Sequence, residues 1–108
     1  MLYSLIYQIP IWEATYMEHK ALVINPADNV AVAADCVADG ETIILMPART
    51  RLTAAGEIPA CHKVCVRPVK TGETIIKSGE VIDCATADIL PGQHVHEHNM
   101  ASVLRTDN

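Results

Sequence analysis

From residue 20 onward, apolar positions come in short runs of four or five, separated by turn residues. Lys20-Ala21-Leu22-Val23-Ile24 stops at Asn25-Pro26, and Asn29-Val30-Ala31-Val32-Ala33 stops before Ala38-Asp39-Gly40. Glu41 to Leu45 is a third run, and His62 to Arg67 alternates until Pro68. Glu73 to Lys77 and Val81 to Ala85 flank Ser78-Gly79, the signature of a hairpin. Pro91-Gly92 is a turn, followed by a strand over His94 to His98. Residues 47–57, with Pro47, Arg49, Arg51 and Gly56, read as a loop or irregular hairpin end. Two stretches have some helical character. Asn25 to Asp35 opens with a plausible cap but is rich in valine, and Asp83 to Leu90 has room for one turn. Many short strands at this spacing predict an all-β domain.

A weak repeat runs through the pattern. Ala38-Asp39-Gly40-Glu41-Thr42-Ile43, Lys70-Thr71-Gly72-Glu73-Thr74-Ile75 and Leu90-Pro91-Gly92-Gln93-His94-Val95 each place a turn glycine before a Glu or Gln that enters a strand. Glycine takes positive φ without a Cβ penalty. The spacing is unequal, which excludes a solenoid and points to one turn device reused within one domain.

Composition sharpens this reading. At 108 residues the chain has room for one modest core. There is no Phe, and Tyr3, Tyr7, Trp12 and Tyr16 all precede Met17, so the core beyond that point is aliphatic. Residues 1–16 therefore read as an arm or a non-native extension, and residues 17–108 as the domain. The net charge of −5, with scattered Lys and Arg, argues against a nucleic-acid partner. The apolar start lacks a basic n-region, carries Pro10, and is too short to span a bilayer. The expectation is a cytoplasmic protein, with no membrane partner and with Cys36, Cys61, Cys65 and Cys84 as free, buried thiols.

The chemistry concentrates in His94-Val95-His96-Glu97-His98-Asn99. On a strand the three imidazoles share one face. Neutral imidazole is a common metal ligand, so His94, His96 and His98 are candidate ligands. Residues i and i+4 of a strand lie roughly 13 Å apart, so only a neighbouring pair converges on one ion, with His62 as the further intrachain candidate. His62 and Lys63 open a strand on opposite faces, and Lys77 stands beside a turn glycine.

Together, Glu57-Ile58-Pro59-Ala60-Cys61-His62-Lys63-Val64, then Val69 to Gly79, then Ala87 to Asn99, resemble the SAF domain of the altronate and galactarate dehydratase family. Its pattern is roughly IPAGHKVA, GExVIKYGxxIG and GxHVHxHN, and the match covers about residues 20–104. Two positions depart: Cys61 stands for the usual glycine, and Ser78 for the usual aromatic. The resemblance implies a β-clip fold and hydro-lyase chemistry on a sugar acid, as the small subunit beside a large dehydratase subunit. It also implies His62, Lys63, Lys77 and Asn99 as substrate-binding residues, and a divalent metal of the iron or manganese type. The alternatives are the small subunit of a sulfolactate sulfo-lyase, or a stand-alone sugar-acid or metal-binding module. Without its partner the chain is expected to be prone to homo-oligomerise.

Overall fold

The computed structural model describes residues 18–102, which form nine strands and no helix. They are β1 (Glu18–Leu22), β2 (Val30–Ala33), β3 (Thr42–Met46), β4 (Thr50–Thr53), β5 (Lys63–Cys65), β6 (Thr74–Lys77), β7 (Glu80–Ala85), β8 (His94–Val95) and β9 (Met100–Ala101). The 1–16 segment lies outside the described residues. Both stretches with helical character are non-helical: Val30–Ala33 is strand, and 86–90 is irregular. Residues 47–57, expected to be a loop or irregular hairpin end, contain the second strand of a hairpin, β4, paired antiparallel with β3.

Six strands form one sheet in the order β4-β3-β1-β2-β5-β8, and three form another in the order β6-β7-β9. Every pairing is antiparallel except β1 with β3, which run parallel from Glu18↔Thr42 to Leu22↔Met46. This curled all-β form is the one expected of a β-clip.

Two aliphatic cores sit side by side. Ala31, Ala33, Ile43, Ile58 and Val64 belong to one, and Val30, Cys65, Ile75, Ile89 and Val95 to the other. Strands β2 and β5 serve both. Val30 and Cys65 point one way, while Ala31 and Val64 point the other. Successive strand side chains alternate faces, so a strand between two cores is apolar at adjacent positions. That is why these segments lack a clean polar face. Burial raises the Cys65 thiol to about 11, so it stays protonated as a small apolar residue. Cys36 and Cys61 are free but exposed, contrary to the expectation that all four thiols are buried.

The repeated turns are alike in atomic detail. In each, the fourth residue's N–H bonds to the first residue's carbonyl: Glu41 to Ala38, Glu73 to Lys70, and Gln93 to Leu90. The fourth side chain then reaches back to accept the first residue's N–H, at 2.8 Å in all three. The third residue, Gly40, Gly72 or Gly92, has φ of 86°, 88° or 93°. Each turn also grips one facing residue. Gly40 N–H donates to Ala54 O while Ala54 N–H donates to Glu41 O, and the same pair of bonds joins Gly72 and Glu73 to Ala85, and Gly92 and Gln93 to Cys65.

Buried Asp28 connects the two sheets. Its Oδ2 accepts the Ile24 and Asn25 N–H groups, and its Oδ1 accepts that of Gly79 at the β6–β7 hairpin tip. Among the described residues, no helix is long and apolar enough to cross a membrane.

Candidate functional site: a cluster of four imidazoles

Strand β8 carries only His94 and Val95; the chain then turns at His96 instead of running on to His98. Asn99 makes the turn. Its Oδ1 accepts the His96 N–H at 2.9 Å, and its Nδ2 donates to the His94 carbonyl at 2.8 Å. The N–H groups of Asn99 and Met100 both donate to the His96 carbonyl. The extended triplet expected from alternation is therefore folded up, and the His94 and His98 rings lie 5.2 Å apart, centroid to centroid.

The pairing of β5 with β8 brings in His62. Lys63 pairs with Val95 and Val64 with His94, so the next position inward sets His62 opposite His96. Their rings stack at 4.4 Å and 9°. His62 Nδ1 and His94 Nε2 are 2.8 Å apart, a hydrogen bond in which one ring donates its N–H and the other accepts. Burial lowers the proton affinity of His94, and the nearby rings of His62, His98 and His96 lower it further, against a small opposing effect of Glu57. Ring His94 therefore stays neutral at neutral pH.

A cavity of about 310 Å³ opens beside this cluster, lined by His94, His98, Asn99, Gln93, Asp88, Ala55 and Ala87. Asp88 and Gln93 were not singled out in the sequence, although both lie in the block Ala87 to Asn99. Asp88 Oδ1 accepts the backbone N–H and the hydroxyl of Thr71, which hold its carboxyl below the usual range. The other expected residues lie elsewhere. Lys63 is a half-buried β5 residue, Lys77 belongs to the β6–β7 hairpin, and neither lines this cavity. Asn99 lines it, but its amide is committed to the turn at both ends. A larger apolar groove of about 560 Å³, bordered by Ile24, Pro26, Met46 and Val66, has no histidine in its wall.

Among the described residues, no group of three or more His, Cys, Asp or Glu side chains is placed to hold a metal ion. The donors are suitable, but stacked rings direct their nitrogens side by side, whereas ligands of one ion point inward to a common centre. Two nitrogens each about 2.1 Å from one ion stand roughly 3.0–3.4 Å apart with both lone pairs aimed at it, whereas His62 Nδ1 and His94 Nε2 are 2.8 Å apart with a proton between them. The described residues as arranged thus form a hydrogen-bonded imidazole cluster and do not fit a metal centre.

The family model described as the altronate/galactarate dehydratase SAF domain matches residues 19–103. The chain belongs to this family. Among curated proteins it is 47% identical over 49 residues to (2R)-sulfolactate sulfo-lyase subunit alpha of Paracoccus pantotrophus, covering 45% of this chain and 73% of that one. It is 38% identical over 76 residues to altronate dehydratase of Escherichia coli, and 32% identical over 76 residues to that of Bacillus subtilis. Those alignments cover 70% of this chain and 15% of each dehydratase, so the chain spans a small part of those enzymes.

Both positions that depart from the family pattern are left-handed: Cys61, where the pattern has glycine, has φ of 68°, and Ser78, where it has an aromatic, has φ of 56°. At Cys61 the reason for glycine is thus visible in the backbone. Pro59-Ala60-Cys61-His62 is a fourth copy of the repeated turn: His62 N–H bonds to Pro59 O, Cys61 N–H to Ala33 O, and Ala33 N–H to His62 O.

Proposed function

We propose that this chain is a small accessory subunit of a cytoplasmic hydro-lyase acting on a sugar acid of the altronate or galactarate type. In this reading it presents its imidazole cluster to an active site completed by a separate large subunit. The observation that carries the proposal is the convergence of His62, His94, His96 and His98 beside an open cavity of mixed polar and apolar lining, in a chain whose named relatives are lyases. A single thin β domain does not enclose a substrate by itself, which favours a site shared with a partner.

The chemistry is an elimination. A base removes the proton α to the carboxylate, and the β-hydroxyl leaves with a proton supplied by an acid. A ring held neutral, such as His94, accepts a proton or a substrate hydroxyl hydrogen bond, and its bonded partner His62 holds or passes a proton. Gln93 Nε2 and Asp88 Oδ2, the atoms not used in the turn bonds, offer polar contacts for the hydroxylated chain of the acid. Charge that develops on the carboxylate needs cationic stabilisation, and a divalent cation of the iron or manganese class held by the large subunit would supply it.

A second reading has its own support. The alignment with the sulfo-lyase subunit covers most of that subunit, and its designation is that of one chain in a larger enzyme. On this reading the leaving group is sulfite. The test is to co-purify the chain with a candidate large subunit and assay altronate, galactarate and sulfolactate with wild type and His96→Ala. Turnover by the wild-type complex alone, lost in the variant, supports the accessory-subunit reading, and the substrate turned over decides between the two lyases. Full activity of the large subunit alone, or of the variant complex, overturns it in favour of a stand-alone binding module.

A further inference from the structure

The four turns differ in one chemical respect. In the turns beginning at Ala38, Lys70 and Leu90, the first residue has an N–H, and the fourth side chain (Glu41, Glu73 or Gln93) bends back to accept it. In the turn beginning at Pro59 there is no N–H to accept. The fourth residue there is His62, and its side chain goes instead to His94 at 2.8 Å. The backbone frame is unchanged: the positive φ at the third residue, the closing bond and the paired grip on a facing residue are all kept.

We infer that Pro59 is a positioning residue for the imidazole cluster: by removing the only backbone donor that the fourth side chain of this turn would cap, it leaves the His62 ring free to bond to His94. The inference rests on the reading of this cluster as the working site, but its geometry stands without it. In the other three turns the first N–H is exposed and still bonds the fourth side chain in preference to water, so a fourth side chain able to accept is drawn to it. The imidazole nitrogen that carries no proton is such an acceptor. With a donor at position 59, His62 Nδ1 has two competing partners, and the backbone donor is the nearer in sequence. With proline there, only His94 remains.

The test uses the full chain alone, with no partner, substrate or metal, so its outcome is independent of the lyase assay. Ring ¹⁵N resonances of His62 and His94 are compared between wild type and Pro59→Ala. The expected result is a shift of the His62 Nδ1 and His94 Nε2 resonances, together with slowed exchange of the amide restored at position 59. Unchanged ring resonances, with that amide exchanging as freely as an exposed one, would overturn the inference.

A second arm holds if ring assignments are lost. Pro59→Ala is introduced beside His62→Glu and, separately, beside His62→Ala. The glutamate variant recreates the capped turn seen at Glu41 and Glu73. The Tm change caused by Pro59→Ala is therefore expected to be more favourable by about 4 °C or more in the glutamate background than in the alanine one. Equal changes in the two backgrounds would mean that position 59 does not compete for the fourth side chain.

Discussion

Replacing Gly92 with alanine tests the frame that delivers His94. A Cβ at this position would stand 2.2 Å from the Thr53 carbonyl oxygen and 3.3 Å from the Ala55 nitrogen, both backbone atoms. Neither yields easily, because Ala54 between them is held by bonds to Gly40 and Glu41. The cost has separable parts. Positive φ in a residue with a Cβ costs about 1–2 kcal/mol. Relieving the clash pulls apart the bonds Ala55 N–H to Gly92 O and Gly92 N–H to Cys65 O, at about 1 kcal/mol each. The sum is about 3–4 kcal/mol, or a fall in Tm of at least about 12 °C for a domain of this size. Gly72→Ala is the control: its φ is 88°, but nothing lies within 4 Å of its Cβ, so only the backbone part applies. Urea denaturation of both variants gives the difference directly, expected at about 2 kcal/mol. Equal losses at Gly92 and Gly72 would refute the claim that close approach to β4 fixes this turn.

Three further outcomes follow from the same geometry. Cys61→Gly removes the left-handed strain at the fourth turn and gives back part of it as chain entropy, for a net gain of about 0.5–1 kcal/mol by thermal melting. Asn99→Asp removes the donor to the His94 carbonyl and sets a charge beside it. A loss of about 1–3 kcal/mol and an altered His98 ring environment are expected by NMR, and a fold and ring shifts like the wild type's would contradict the bracing role. His19 is clasped by Glu41 at 2.8 Å and Asp35 at 3.0 Å. Burial alone would lower its proton affinity, but the bonds from Glu41 and then Asp35, with their charges, outweigh this and raise it. The imidazolium therefore stabilises the fold fully below about pH 6.5, and this contribution fades as pH rises through the raised folded value. The stability advantage of wild type over His19→Gln should shrink as pH rises above about 6.5, and an advantage that grows with pH would contradict the clasp.

The parts legible in the sequence were those with a local cause. Glycine followed by Glu or Gln marked three turns, because both the positive φ and the capping acceptor are written in residue types. Strand β4 was missed because Thr50, Arg51 and Thr53 are exposed and only Leu52 packs inward, as on an edge strand paired to β3 alone. The parallel pairing of β1 with β3 leaves no local mark, since the strands are joined through β2. His94 to His98 misled for a different reason. Alternation assumes a continuous strand, and the break depends on Asn99, whose short amide bonds to backbone two or more residues away. The spacing of His96 and Asn99 carried that signal, but the histidine pattern invited the strand reading.

The cluster also shows where a repetitive frame can accept new chemistry. His94 directly follows a capped turn, in which Gln93 is spent on the Leu90 N–H. His62 is itself the fourth residue of an uncapped one. The two copies are joined through β5: Cys65 is gripped by the Gly92 turn, and β5 begins directly after His62. One turn therefore fixes the direction in which His94 enters β8, and the other supplies its partner from the position that in the other three copies caps the first residue's N–H. Glu41 shows that a carboxylate can cap the turn and still bond a neighbour, His19, but a ring nitrogen has one lone pair and serves one partner. Of the four copies, the one that opens with proline has no N–H to cap, and it is the one that carries histidine.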